Sequence, residues 1–239
     1  MGSIYAALLA SSGNQILVID TDDAHIDAIN KFGLRVSGAS GDRTVQIPAH
    51  KRVPVDEVEL LVVAVKGVHV QAAISSARGV VNAQTLILTI QNGLGSSDAV
   101  ASVLGKERLI VGIAQGFGAS LLKPGHAYHN DMKAIRMGAY DDLALEDVSK
   151  VATCFTQAGF DAEPVADIEA MQWEKLICNV AYSALSALTG FNVGEIMDDP
   201  QVGPVSQQAA IEAWEIAKAK GVKLQVDDPV QMVRHFAAR

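Results

Sequence analysis

The chain is poor in cysteine and aromatic residues, and it has no run of positive charge and no long uninterrupted apolar stretch. Each shortage removes a class of protein. Only Cys154 and Cys178 are present, without CxxC or cysteine/histidine ligand spacing, which argues against a disulfide framework and points to a reducing compartment. Both read as packing thiols. The 19 basic residues are scattered and outnumbered by 27 acidic ones, so no footprint for nucleic acid or an anionic membrane is visible. The most apolar segment, Leu176 to Val193, is interrupted by Asn179, Tyr182, Ser183, Ser186, Thr189 and Asn192, a poor match to the ~20 apolar residues of a membrane-spanning helix. No basic stretch precedes an apolar core and a small-residue cleavage site, so no signal peptide is read and a cytoplasmic location is the expectation. The absence of a nucleophile elbow and of a phosphate-binding P-loop removes the common hydrolase and kinase readings. His126 and His129 have no evident third ligand, and no metal is expected.

What is present is ample core material, 49% apolar over 239 residues, arranged in two styles. The first half alternates helical and strand-like runs, the pattern of a parallel sheet covered by helices. A helix marked by Ile4, Leu8 and Leu9 ends by Gly13; Ile16 to Asp20 reads as a strand; Ala24 to Lys31 reads as a helix closed by Gly33; Arg35 to Pro48 reads as short extended pieces. Leu60 to Val65, Thr85 to Ile90 and Leu109 to Ala114 read as fully buried parallel strands, with a helical segment over Val68 to Ala77. Ala127 to Met137 adds an antiparallel pair, and Leu145 to Gln157 a helix stopped by Gly159. Beyond a boundary near Val165 only helices are read. One runs from an Asp167 cap to about Leu188, one from Val205 to Lys220, and one is opened by Asp228-Pro229 with no stop before Arg239. The expected architecture is therefore an α/β domain over residues 1–165 followed by a helical domain over residues 166–239.

Three places carry chemistry. Gly2 opens the first helix and Asp20 ends the next strand, the order and spacing of a helix N-terminus that holds a pyrophosphate and a carboxylate that meets a ribose. Alone, Gly2 would read as a flexible lead into a helix. Gln91-Asn92-Gly93-Leu94-Gly95 follows directly on a strand, at the carboxyl edge where open α/β sheets bind ligands, and Lys66 ends another strand at the same edge. An Asn-Gly turn and a solvated lysine are the plain alternatives. In Trp173-Glu174-Lys175-Leu176-Ile177-Cys178-Asn179, the residues Lys175, Asn179 and Ser183 fall at i, i+4 and i+8, which puts an ammonium, an amide and a hydroxyl on one helical stripe among apolar neighbours. A lysine in such surroundings is costly to bury unless it is paired or used.

Taken together, Met1-Gly2-Ser3 opening a helix, Lys66 after a strand, Ile90-Gln91-Asn92-Gly93-Leu94-Gly95, and Trp173-Glu174-Lys175-Leu176 with Asn179 resemble the ketopantoate reductase (2-dehydropantoate 2-reductase) family over nearly the whole chain. The resemblance implies a Rossmann-like doubly wound parallel sheet followed by an all-helical domain of the 6-phosphogluconate-dehydrogenase type. It also implies NADPH-dependent reduction of 2-dehydropantoate to pantoate in pantothenate and coenzyme A synthesis, with a possible homodimer. By the same likeness Lys175 is the proton donor, Asn179 and Ser183 lie at the substrate, and Asn92 touches cofactor and substrate. Gly2, Asp20, Thr21 and Lys66 lie at the cofactor.

The sequence departs from the family pattern in four ways. A first strand and the first two fingerprint glycines do not precede Gly2, and the family's later serine and glutamate would fall beyond Arg239, so the chain reads as truncated at both ends. Ser183 stands where a second substrate asparagine is often found, and Asp20-Thr21 stands where an arginine commonly meets the NADP 2′-phosphate. NADP(H) is the expectation on likeness, with NAD(H) kept open by Asp20. A related 2-keto or 3-hydroxy acid dehydrogenase, and an inactive nucleotide-binding or dimerisation remnant, are the alternatives.

Overall fold

The computed structural model describes residues 1–54, 57–131 and 134–237. The chain divides into two compact units, Met1–Ile168 and Glu169–Arg239. In chain order the first contains α1 (Gly2–Ser11), β1 (Val18–Ile19), α2 (Asp23–Phe32), β2 (Leu34–Gly38), β3 (Arg43–Val45), β4 (Ala49–His50), β5 (Leu60–Val63), α3 (Val70–Ala77), β6 (Leu86–Thr89), α4 (Ser96–Leu104), β7 (Leu109–Gln115), β8 (Gly118–Lys123), β9 (His126–Asp131), β10 (Ala134–Ala139), α5 (Leu145–Gln157) and β11 (Ala162–Pro164).

A five-stranded sheet runs β11-β10-β7-β6-β5. Its β5, β6 and β7 are parallel and joined through α3 and α4, while β10 returns antiparallel against β7. Crossover helices of this kind explain why the strands read as apolar runs rather than alternating ones. Val63, Val70, Ile74, Ile87, Val100 and Leu109 form the core between these strands and helices. A second sheet runs β3-β2-β9-β8, and β1 pairs with β4 alone. The largest cluster joins α1, α2, α5 and the second sheet through Ile4, Leu8, Ile26, Ile29, Leu34, Val36, Val151 and Phe155. Inside it the Tyr5 ring lies 5.2 Å from Phe117, 5.9 Å from Phe155 and 5.7 Å from Phe160. α2 begins where Asp22 accepts hydrogen bonds from the amides of Ala24 and His25. It ends at Gly33, whose φ is 81° and where an added Cβ would stand only 2.8 Å from the Val45 carbonyl oxygen, so there is no room for a side chain.

The second unit is helical: α6 (Ile168–Thr189), α7 (Val193–Asp198), α8 (Val202–Ala219) and α9 (Pro229–Ala237). Ile177, Ala181, Tyr182, Ile196, Met197, Ala210, Ala213 and Val233 form one core cluster, and Ala170, Trp173, Ala217 and Val222 another. A capping box between Asn192 and Glu195 starts α7. Asp228 starts α9 by accepting from the amides of Val230 and Gln231. Among the described residues no helix is long and apolar enough to cross a membrane.

Several sequence readings are corrected. The strand read over Ile16 to Asp20 is only Val18–Ile19, because its partner β4 follows Pro48, which has no amide with which to lengthen the ladder. β5 is not fully buried: it is the edge of its sheet, and Leu60, Leu61 and Val62 are half-buried. The run Ala127 to Met137 is not one antiparallel pair; it is shared between β9 and β10, which belong to different sheets and pair antiparallel with β8 and β7 respectively. Met132 and Lys133 within that run, and Ala238 and Arg239 in the run read from Asp228-Pro229, lie outside the described residues. The Val205 helix starts earlier, at Val202, because Asp199 accepts from the amides of Gln201 and Val202 and so organises the entry to α8.

Candidate functional site

In the first unit the candidate residues come from four element ends. α1 opens at Gly2 with no side-chain cap and no acidic residue in its first turn, so its positive end is not neutralised from within the helix. A Cβ on Gly2 would meet only the Ala64 Cβ, at 3.5 Å, so packing does not demand glycine there. What glycine leaves is room for a close approach, and together with an uncapped helix start this fits a pyrophosphate. Ser3 is tied to α2 by a contact of 3.2 Å between its Oγ and His25 Nε2. His25 is buried, and its Nδ1 accepts from the Gly125 amide at 3.0 Å, so Nε2 carries the proton and donates to Ser3.

The start of α2 also carries Asp20 and Thr21. Asp20 Oδ1 accepts from the amides of Thr21 (2.7 Å) and Asp22 (3.0 Å), which fixes the carboxylate at the end of β1. Thr21 itself is exposed. The turn is neighboured by Lys51, which leaves β4 and pairs with Asp23 at 2.6 Å. Lys66 and Asn92 both leave the carboxyl edge of the five-stranded sheet, since β5 and β6 are parallel with Val63 opposite Thr89. Both are exposed. Gly93 and Gly95 take positive φ, 82° and 88°, with open space where a side chain would be. Between the two strand ends lies Gln91, whose amide nitrogen donates to the carbonyls of Val63 and Val65.

In the second unit Lys175, Asn179 and Ser183 lie along α6, the first two half-buried and the third exposed. Burial pushes the Lys175 ammonium below the usual lysine range, which makes it a stronger acid than an ordinary lysine. The helix is locked just before it: Trp173 packs with Ala170, Ala217 and Val222, and Glu174 Oε1 accepts from the Gln225 amide at 2.9 Å. Cys178 is pushed up to about 11, first by burial and then by Glu174, so it is a packing thiol and not a nucleophile. Tyr182 donates its hydroxyl to the Val233 carbonyl, anchoring α9.

Residues 1–142 match the family described as ketopantoate reductase PanE/ApbA, and residues 167–239 match that family's C-terminal domain. The chain belongs to the ketopantoate reductase family. Membership makes it an oxidoreductase acting on a CH–OH group. A relative from Halobacterium salinarum named 2-dehydropantoate 2-reductase is 28% identical over 241 residues, spanning 100% of this chain and 78% of the relative. The solved 2-dehydropantoate 2-reductase of Geobacter metallireducens superposes with a TM-score of 0.87 at 28% identity, covering 99% of this chain and 79% of that one. A ternary structure of D-mandelate dehydrogenase with NADH and anilino(oxo)acetate shares the fold, with a TM-score of 0.89 at 20% identity and coverage of 98% and 76%.

Two residues of this ketopantoate reductase fold escaped the sequence reading. Gln91 was visible only as part of the Gln-Asn-Gly run, and its partners are 28 and 26 residues away. His25 left a fainter signal: a polar residue on the helix face that also carries Ile26 and Ile29, where a buried imidazole needs partners on both nitrogens.

Proposed function

We propose that this chain reduces 2-dehydropantoate to pantoate at the expense of a reduced nicotinamide dinucleotide. The observation that carries the reading is the half-buried Lys175 on the face of α6 that also bears Asn179 and Ser183. Lys175 donates its proton to the ketone oxygen of the substrate as negative charge develops there, and its positive charge stabilises that oxygen beforehand. Asn179 and Ser183 orient the acid through hydrogen bonds, and Asn92 presents its amide to cofactor and substrate. The uncapped start of α1 at Gly2 takes the pyrophosphate, Asp20 and Thr21 the adenosine ribose, and Lys66 adds a cation at the sheet edge. The nicotinamide, when bound, supplies the hydride.

NADP(H) is the cofactor that family likeness supports. A second reading, NAD(H), is favoured by the fixed Asp20 carboxylate, which suits a ribose 2′-hydroxyl and repels a 2′-phosphate. Likewise a different 2-keto or 3-hydroxy acid is favoured as substrate by Ser183, a hydroxyl where an amide would grip a carboxylate more fully. The test is oxidation of NADPH and NADH by the purified protein with a panel of 2-keto acids. A kcat/KM for 2-dehydropantoate above that for every other acid supports the assignment, and no turnover of any acid with either cofactor overturns it.

A further inference from the structure

We infer that Gln91 is a positioning residue for the dinucleotide site, setting the spacing between the loops that carry Lys66 and Asn92; the inference rests on the cofactor reading above. β5 and β6 pair in parallel register from Leu60 opposite Leu86 to Val63 opposite Thr89, and there β6 ends. Beyond that point the backbone of the β6 chain no longer follows β5 as a strand. The Gln91 side chain takes over: Nε2 donates to the Val63 carbonyl at 2.6 Å and to the Val65 carbonyl at 3.1 Å. Two carbonyls can only accept, so the nitrogen must face them, and the Oε1 left over accepts from the hydroxyl of Thr89. Thr89 is buried, so the amide is held from both ends.

The residues on either side of these contacts are the candidate cofactor residues. Val65 precedes Lys66, Gln91 precedes Asn92, and Ala64, between the two accepting carbonyls, lies against Gly2 at the start of α1. One side chain therefore ties together the ends of β5 and β6 next to the helix start. Asn92 is followed by Gly93 and Gly95, both at positive φ with open space where a side chain would be, so the path of the loop beyond Gln91 is one that glycine permits. Pre-set spacing of separate loops is what a ligand that bridges them needs, because ordering them at the moment of binding costs affinity.

The experiment compares Gln91→Met and Thr89→Val with the native protein. Methionine keeps the length of the side chain and removes both donors; valine keeps the volume of threonine and removes the hydroxyl that orients the amide. Calorimetric titration with NADPH and with NADH gives Kd, steady-state rates give kcat and the KM for the keto acid, and thermal melting gives stability. For Gln91→Met we expect the cofactor Kd to rise on the order of tenfold, from the loss of the three side-chain hydrogen bonds that hold the site in its binding form. The loss falls on cofactor Kd and cofactor KM rather than on kcat or the keto-acid KM. Thr89→Val moves the same constants in the same direction by a smaller factor, and combined with Gln91→Met it adds nothing further. A Gln91→Met protein with a lowered melting temperature and a cofactor Kd within twofold of native would overturn the inference, since that is the mark of a merely structural bond. If Gln91→Met does not fold, Thr89→Val decides alone by the same criterion. A native protein that binds neither cofactor overturns the reading beneath the inference and the inference with it, whereas native binding that is unmoved by both variants overturns the inference only.

Discussion

In the first unit the candidate residues come from the ends of four different elements, and hydrogen bonds to backbone fix polar side chains at or beside them: Asp20 by two amides, Gln91 by two carbonyls, His25 by the Gly125 amide. In the second unit Lys175, Asn179 and Ser183 stand on one continuous helix, and their spacing needs nothing but the helix. What must be secured there is the helix itself, and that falls to Trp173, Glu174 and Tyr182. A site made of strand ends is sensitive to the loss of single polar contacts; a site made on one helix is sensitive to the loss of packing behind it. The two units thus invite different substitutions.

The largest expected effect tests the packing side of this contrast. Trp173→Ala should destabilise the helical unit by about 3–5 kcal/mol, the usual cost of emptying a buried aromatic position, as a lowered midpoint in denaturant titration. A loss under about 1 kcal/mol would mean that α6 is not held by this cluster. Next comes Lys175→Ala, which should lower kcat on the order of 10²-fold, through loss of a proton donor and a stabilising charge. Because Lys175 lies in the helical unit and not among the strand ends, the cofactor Kd should stay near native. The same residue fixes a pH dependence. The protonated amine is the donor and burial lowers its pKa, so turnover is present below that value and lost as pH rises through it. The alkaline limb should therefore begin below about 10.4, the ordinary lysine value. A limb at or above that value would detach turnover from Lys175.

A smaller effect is expected at the strand ends. Asp20→Ser removes a charge beside the adenosine ribose and should raise the ratio of kcat/KM for NADPH over NADH by about tenfold. An unchanged ratio would place the adenosine ribose elsewhere. Smallest is Asn192→Ala, which removes one half of the capping box of α7 and should cost about 1 kcal/mol in thermal unfolding.

The contrast between the units also explains what the sequence showed in advance. α5 was read at Leu145 to Gln157 and is found there, because its apolar residues Val148, Val151, Ala152 and Phe155 repeat at helical spacing and Gly159 follows. The Lys175 stripe was legible for the same reason. β8 was not: Leu121 and Leu122 are exposed neighbours on an edge strand, without the alternation that marks a half-buried one. α7 was missed because six residues are too few for periodicity, although the Asn192/Glu195 pair announced its start. The Gln91 clamp and the Ser3–His25 contact span 26 to 28 and 22 residues respectively, and no local pattern encodes such pairings.

Trp173 packs against α8, and the only other tryptophan of the chain, Trp214, lies on α8 itself with its indole nitrogen donating to the Val226 carbonyl. Both belong to the unit Glu169–Arg239, while Tyr5, Tyr128 and Tyr140, three of the four tyrosines, belong to Met1–Ile168. The protein therefore carries its own optical labels. Emission excited in the tryptophan band reports the helical unit alone, so a denaturation curve followed by fluorescence and one followed by far-ultraviolet circular dichroism will coincide only if the two units unfold together.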